Sequence, residues 1–176
     1  MKYYTLVNIA LLTPRLLLRE ISVKEDDLGS YLNWLRDVES NSFIISAKAD
    51  YRLAELVEFI ESTNLDVNAL LFGIFLREDQ KLIGTLKVQP IDFLEGTSWL
   101  GIMIGSPEFR GHGYGREALL EVMEFLFNSL NLREIFLGVD LKNIDAISLY
   151  RNLGFSEHKI EENSMVMVKR NLPNFK

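Results

Sequence analysis

The stretch Arg110-Gly-His-Gly-Tyr-Gly-Arg116 holds the densest chemistry in this chain. An apolar run ends at Ile104-Gly105, and Gly111, Gly113 and Gly115 follow within the next ten residues. A helical pattern starts immediately after them. Such a loop gathers backbone N–H groups at a helix N-terminus, where unsatisfied amides and the positive end of the helix dipole favour a phosphate. Glycine lets the backbone reach positive φ and approach a ligand closely. The chemistry implied is the binding of a phosphorylated cofactor.

Around this loop the spacing predicts an alternation of elements. Arg15–Ile21 reads as a first strand and Asp26–Arg36 as a helix with Leu28, Tyr31, Leu32 and Leu35 on one face. Asn41–Asp50 reads as a loop, and Arg52–Ser62 as a second helix with Leu53, Leu56, Val57 and Ile60 inward. Leu70–Leu76 and Lys81–Gln89 flank the turn signal Arg77-Glu-Asp-Gln80, and Thr97–Ile104 is a third strand of this group. Leu119, Val122, Met123, Leu126 and Leu130 lie at helical spacing in Arg116–Leu130. Glu134–Val139 is a strand, Asp145–Leu153 a helix closed by Gly154, and Phe155–Ile160 and Met165–Lys169 are final strands. The expected fold is a single α+β (α/β-like) domain over residues 1–176, with a mixed, mostly antiparallel central sheet and helices on both faces.

Composition narrows the function. The chain has no cysteine, so a disulfide framework, a thiolate zinc site and a thiol nucleophile are excluded, and its two histidines are too few for a His-rich metal site. No metal is expected. A net charge of −6 disfavours sequence-independent nucleic-acid binding. Residues 21–70 hold ten Asp/Glu against four Lys/Arg. They form either an acidic surface that attracts an amine or, as the preferred reading, a solvated helical face. No apolar run is long enough to span a bilayer. The N-terminal apolar stretch lacks a cleavage site, so a mature, cytoplasmic protein is expected.

Three loops could explain the glycines. A dinucleotide fingerprint, G-x-G-x-x-G, starts at Gly111 and Gly113 but fails because position 116 is Arg. A phosphate loop with Gly-Lys-Ser/Thr is absent. The third pattern, [QR]-x-x-G-x-[GA], is met by Arg110, Gly113 and Gly115. Downstream, Asn143, Ala146, Tyr150, Gly154 and Phe155 meet N-x-x-A-x-x-x-Y-x-x-x-G-F. With both patterns, the chain resembles the GNAT superfamily of acyl-CoA N-acyltransferases over about residues 14–169. Thr13-Pro-Arg-Leu-Leu-Leu-Arg19 and Tyr31-Leu-Asn-Trp-Leu-Arg-Asp37 are similar to the subgroup of ribosomal-protein N-terminal, spermidine and amino-sugar acetyltransferases.

The resemblance implies a sheet splayed between Thr97–Ile104 and Glu134–Val139, with acetyl-CoA in the wedge. The backbone of Met103 and Ile104 would hold the pantetheine arm. Amides of Arg110, Gly111, His112, Gly113, Tyr114, Gly115 and Arg116 would hold the pyrophosphate, with charge added by the Arg110 and Arg116 side chains. Asn143 would cap the next helix or touch the cofactor, and Ala146 would let that helix pass close to it. Tyr150 falls on the family's general-acid position. A phenol with a pKa near ~10 is protonated at neutral pH and can donate to a leaving thiolate.

The general base does not carry over. Where many relatives have Glu, two residues before the strand glycine Gly101, this chain has Trp99. Asp92 and Glu95 are near in sequence but fall in an expected loop. Trp34, Asp37 and Trp99 are candidate acceptor contacts, with Phe43 and Arg52 as further ones, and Trp99 could stack on a sugar ring. The resemblance therefore implies acetyl transfer to a primary amine. The missing Glu tilts the acceptor toward an amino sugar or sugar nucleotide, ahead of a peptide or protein N-terminus or a polyamine, while the acidic segment tilts toward a cation. The alternative is a non-catalytic acyl-CoA-binding regulatory module. No nucleic acid or membrane partner is expected, and a homodimer is expected from family habit.

Overall fold

The computed structural model describes residues 9–37, 43 and 48–171. Eight strands form one sheet in the order β1-β2-β3-β4-β5-β6-β8-β7. They are β1 (Ala10–Leu12), β2 (Leu16–Glu20), β3 (Leu70–Leu76), β4 (Leu82–Asp92), β5 (Thr97–Ile104), β6 (Glu134–Asp140), β7 (Ser156–Glu161) and β8 (Ser164–Arg170). Neighbours pair antiparallel except β5 and β6, which run parallel. The helices are α1 (Leu28–Arg36), α2 (Leu53–Leu65), α3 (Tyr114–Glu124) and α4 (Ile144–Asn152).

The sheet divides the core in two. On one face Leu119, Val122 and Leu126, all fully buried, pack with Leu16, Ile83, Leu86 and Ile135. On the other face α1 and α2 contribute Tyr31, Leu35, Leu56 and Ile60 against Leu71, Phe75 and Met103. Leu53, expected inward, is 50% exposed at the first position of α2.

Local chemistry sets the boundaries. The Asp27 side chain accepts the Ser30 amide at 3.1 Å and caps α1. Asp26 pairs with Arg19 at 2.6 Å, which keeps it outside the helix. The chain enters α3 through Gly113, at φ +80, so the helix starts at Tyr114 rather than Arg116. Its last turn, Phe125–Ser129, widens to π geometry. Strand β1 carries no periodic signal: only Leu11 of its three residues is even partly buried, so sequence patterning missed it. The loop expected over 41–50 lies mostly outside the described residues, as do residues 1–8 of the N-terminal stretch.

Candidate active site

β5 and β6 form rungs only at Thr97–Glu134, Ser98–Ile135 and Trp99–Phe136. Beyond Trp99 they part. Gly101 and Gly138 stand beyond the last rung, one on each strand, and a Cβ at either would meet nothing within 4 Å. The gap opens into a cleft of about 470 Å³ between the sheet and α1/α2. Tyr31, Thr85, Lys87, Met103, Asp140 and Tyr150 are among its lining residues.

The register decides which backbone groups face the gap. The Gly105 amide bonds the Ile83 carbonyl at 3.0 Å. In an antiparallel ladder this phase repeats every second residue. Gly101 and Met103 are therefore bonded to β4, opposite Lys87 and Thr85, while Leu100, Ile102 and Ile104 turn their amides and carbonyls toward β6. The expectation for Met103 is corrected: its backbone belongs to the ladder, and its contribution to the cleft is its side chain. Ile102 has the outward backbone phase expected of Met103. This phase depends on cross-strand register and has no local sequence signal.

The glycine loop closes onto the N-terminus of α3. Gly111 and Gly113 adopt φ of +76 and +80, where a Cβ-bearing residue is strained. Arg110 turns inward: its Nε donates to the Ile104 carbonyl at 3.0 Å and an Nη to the Gly105 carbonyl at 2.7 Å. The expectation of a charge added to the pyrophosphate thus meets a side chain that clamps the end of β5 to the loop. Arg116 is exposed on the first turn of α3, with no carboxylate in ion-pair range among the described residues. The ring of His112 tilts on Tyr114, and the His112 carbonyl accepts from Arg15 Nη1 at 3.0 Å.

That last bond belongs to a latch the sequence reading missed. Glu117, in the first turn of α3, accepts from the Thr13 hydroxyl at 2.5 Å, the Arg15 amide at 2.9 Å and Arg15 Nε at 2.7 Å. The guanidinium also lies 4.4 Å from the Tyr114 ring centroid. Burial pushes the Glu117 carboxyl up, but the Thr13 hydroxyl and the Arg15 amide and guanidinium outweigh it, and the net shift is downward. The latch ties the β1–β2 turn to the loop. A signal was present in the Thr-Pro-Arg run, though not its partner about a hundred residues on.

On the far wall, the Asn143 Oδ1 accepts the Ala146 amide at 3.2 Å and caps α4 while the residue also lines the cleft. Ala146 is half-buried against the α3 core. Tyr150 is 9% exposed and edge-on to Phe155 at 5.9 Å. Burial raises its phenol above the ordinary tyrosine value. Across the cleft, burial pushes the Tyr31 phenol up to about 12, partly offset by its bond with Thr85.

The expected acceptor contacts lie elsewhere. Trp34 is 7% exposed and sits in the α1/α2 core with its Nε1–H on the Ser106 hydroxyl at 3.0 Å. Its ring lies so close to Gly105 that a Cβ there would come within 1.9 Å. It positions the end of β5 and does not line the cleft. Asp37 ends α1 on the surface, its amide bonded to Asn33. Trp99 stacks on Phe136 at 5.6 Å over the last paired rung, outside the cleft. Arg52 caps α2 beside Glu55, Asp92 Oδ1 accepts the amides of Leu94 and Glu95, and Glu95 pairs with Arg133. Of the further candidates, Phe43 does line the cleft.

Comparison with known proteins agrees with this geometry. Residues 15–156 match the family described as acetyltransferase (GNAT) domain. The chain is 28% identical over 149 residues to N-acetyltransferase p20 of Bacillus licheniformis, covering 84% of this chain and 82% of that one. It is also 28% identical over 135 residues to spermidine N(1)-acetyltransferase of Vibrio cholerae, covering 74% and 78%. The spermidine N-acetyltransferase from Vibrio cholerae solved with CoA and spermine superposes with a TM-score of 0.76 at 24% identity, over 90% of this chain and 96% of that one. With a family match over most of its length and a sheet split between β5 and β6, this chain belongs to the GNAT family of acetyltransferases.

Proposed function

We propose that the cleft transfers the acetyl group of acetyl-CoA to a primary amine, with Tyr150 as general acid. The observation that carries this reading is the Tyr150 phenol. It lies in the wall where β5 and β6 part, and burial holds it in the proton-donating form. The CoA bound in a structural neighbour supports the choice of donor for that fold.

The residues present suit acetyl-CoA. Two strand edges face an open gap, Gly101 and Gly138 leave it free of side chains, and left-handed glycines turn the loop's amides onto the α3 N-terminus. Ile102 and Ile104 would hold the pantetheine arm as an added strand does. The amides from Gly111 to Arg116 would hold the pyrophosphate, with the Arg116 charge beside them. A cation in the first turn opposes the helix dipole, which a neighbouring phosphate would offset.

Acetyl-CoA supplies the thioester. The amine nitrogen would attack its carbonyl carbon and lose a proton to solvent, the carbon–sulfur bond would break, and Tyr150 would give the departing sulfur its proton and be reprotonated from solvent. Among the described lining residues the one carboxylate is Asp140, and its Oδ1 already accepts the Lys142 amide at 2.7 Å. With no second carboxylate among the described lining residues, an amine of low pKa suits the site best. This favours an amino sugar or sugar nucleotide, or a peptide N-terminus with its α-amino pKa of about 8, over a polyamine.

The test is thiol release from acetyl-CoA across amino sugars, sugar nucleotides, polyamines and peptides with free N-termini. Turnover of one class, lowered about 100-fold or more in Tyr150→Phe, is expected. Tight acetyl-CoA binding with no turnover of any amine would leave a regulatory acyl-CoA-binding module instead.

A further inference from the structure

Lys87 lies mid-strand in β4, opposite Leu71 of β3 and Gly101 of β5. It shares a face of the sheet with Thr85, and both line the cleft beneath α1 and α2. Gly101, its partner on β5, has no side chain and open space at its Cβ position, so that partner leaves the lysine stem uncovered. Its ammonium lies 5.3 Å from the centre of the Phe59 ring on α2. A cation over a ring is held in place but keeps its full charge.

Nothing among the described residues neutralises that charge. Among the described residues no carboxylate comes within ion-pair distance of Lys87. The other titratable groups lining the cleft are Tyr31, Tyr51 and Tyr150, all neutral at pH 7 with their phenols raised, and Asp140. Among the described residues of the acidic segment no carboxylate lines the cleft: Asp26 pairs with Arg19, Asp27 caps α1, Glu55 pairs with Lys48, and Glu58 and Glu61 face solvent. Asp140 already accepts the Lys142 amide, and a half-buried ammonium beside an aromatic ring suits an oxyanion.

We infer that Lys87 binds an anionic group of the acceptor, so that the substrate is a primary amine carrying a phosphate or carboxylate. The inference rests on the acetyl-transfer reading and narrows its acceptor. It separates this chain from relatives whose names state spermidine as substrate.

The experiment compares matched amines on the full chain: glucosamine 6-phosphate with glucosamine, 6-aminohexanoate with 6-aminohexanamide, and spermidine alone. In the wild-type chain the anionic member of at least one pair is expected to exceed its neutral partner in kcat/KM by about 10- to 100-fold. The phosphate and carboxylate pairs distinguish the two sources of the anion. Lys87→Met should abolish the preference with acetyl-CoA KM unchanged, and Lys87→Arg should keep most of it. Equal use of both members, preference for spermidine, or a loss in Lys87→Met that falls equally on all amines overturns the inference. If no amine releases CoA, the acetyl-transfer reading fails, and calorimetric titration of the same pairs decides Lys87 alone. An anion preference lost in Lys87→Met upholds it, and no preference refutes it.

Discussion

The two halves of the proposed site are built from different materials. The half proposed to hold the donor, from Ile102 through the glycine loop to the start of α3, is mostly backbone: strand edges, left-handed glycines and helix amides. The half proposed to hold the acceptor is side chains of the cleft: Tyr31, Thr85 and Lys87 from α1 and β4, with Phe59 from α2. Backbone geometry must be specified by glycines at fixed spacing, so the donor half leaves a local signature. Side chains that meet across strands leave none. The half expected to be shared with relatives is therefore the readable one, and the half expected to choose the substrate is not.

Changes to each half should affect one substrate and spare the other. The largest such effect is expected from Gly113→Val. A β-branched residue at φ +80 carries backbone strain of about 1–3 kcal/mol, so acetyl-CoA KM should rise roughly 10-fold or more with acceptor KM unchanged. Steady-state kinetics with each substrate varied in turn would show it, and an acceptor-only effect would break the division.

Next is the Glu117 latch. Its carboxyl titrates below the ordinary glutamate value of about 4.3, so its stabilisation is fully present above that value and is lost as pH falls through the lower folded value. Glu117→Gln should lower Tm at pH 7 and flatten the acid limb of the Tm–pH curve. An unchanged acid limb would count against the latch.

The smallest effect is expected from Trp99→Ala. The Trp99–Phe136 stack lies outside the cleft, so the change should cost about 1 kcal/mol of stability and leave both KM values in place. A rise in acceptor KM alone would extend the acceptor half past the last rung of β5 and β6.

Legibility in the sequence follows the same division. The strand, glycine loop and helix around Gly113 were readable because amphipathic spacing and turn chemistry are local, and so were Asn143 and Tyr150 within their helix pattern. The phase of Met103 was not, since it depends on pairing with Thr85 one strand away. Trp34 is a candidate acceptor contact in the sequence because an aromatic in a helix gives no sign that it will pack on Gly105. Thr13 and Arg15 meet Glu117 across about a hundred residues of chain. Lys87 did leave a faint signal: in Leu82-Ile-Gly-Thr-Leu-Lys-Val88, Thr85 and Lys87 occupy alternate positions of an otherwise apolar central strand. Polar residues on one face of such a strand mark a face that is not closed core.

The division into a backbone-built donor half and a side-chain-built acceptor half is tested most directly by measuring KM for both substrates in the wild-type chain, Gly113→Val and Lys87→Met. The expected result is a rise in acetyl-CoA KM alone in the first variant and in acceptor KM alone in the second. A joint rise of both values in either variant would contradict it.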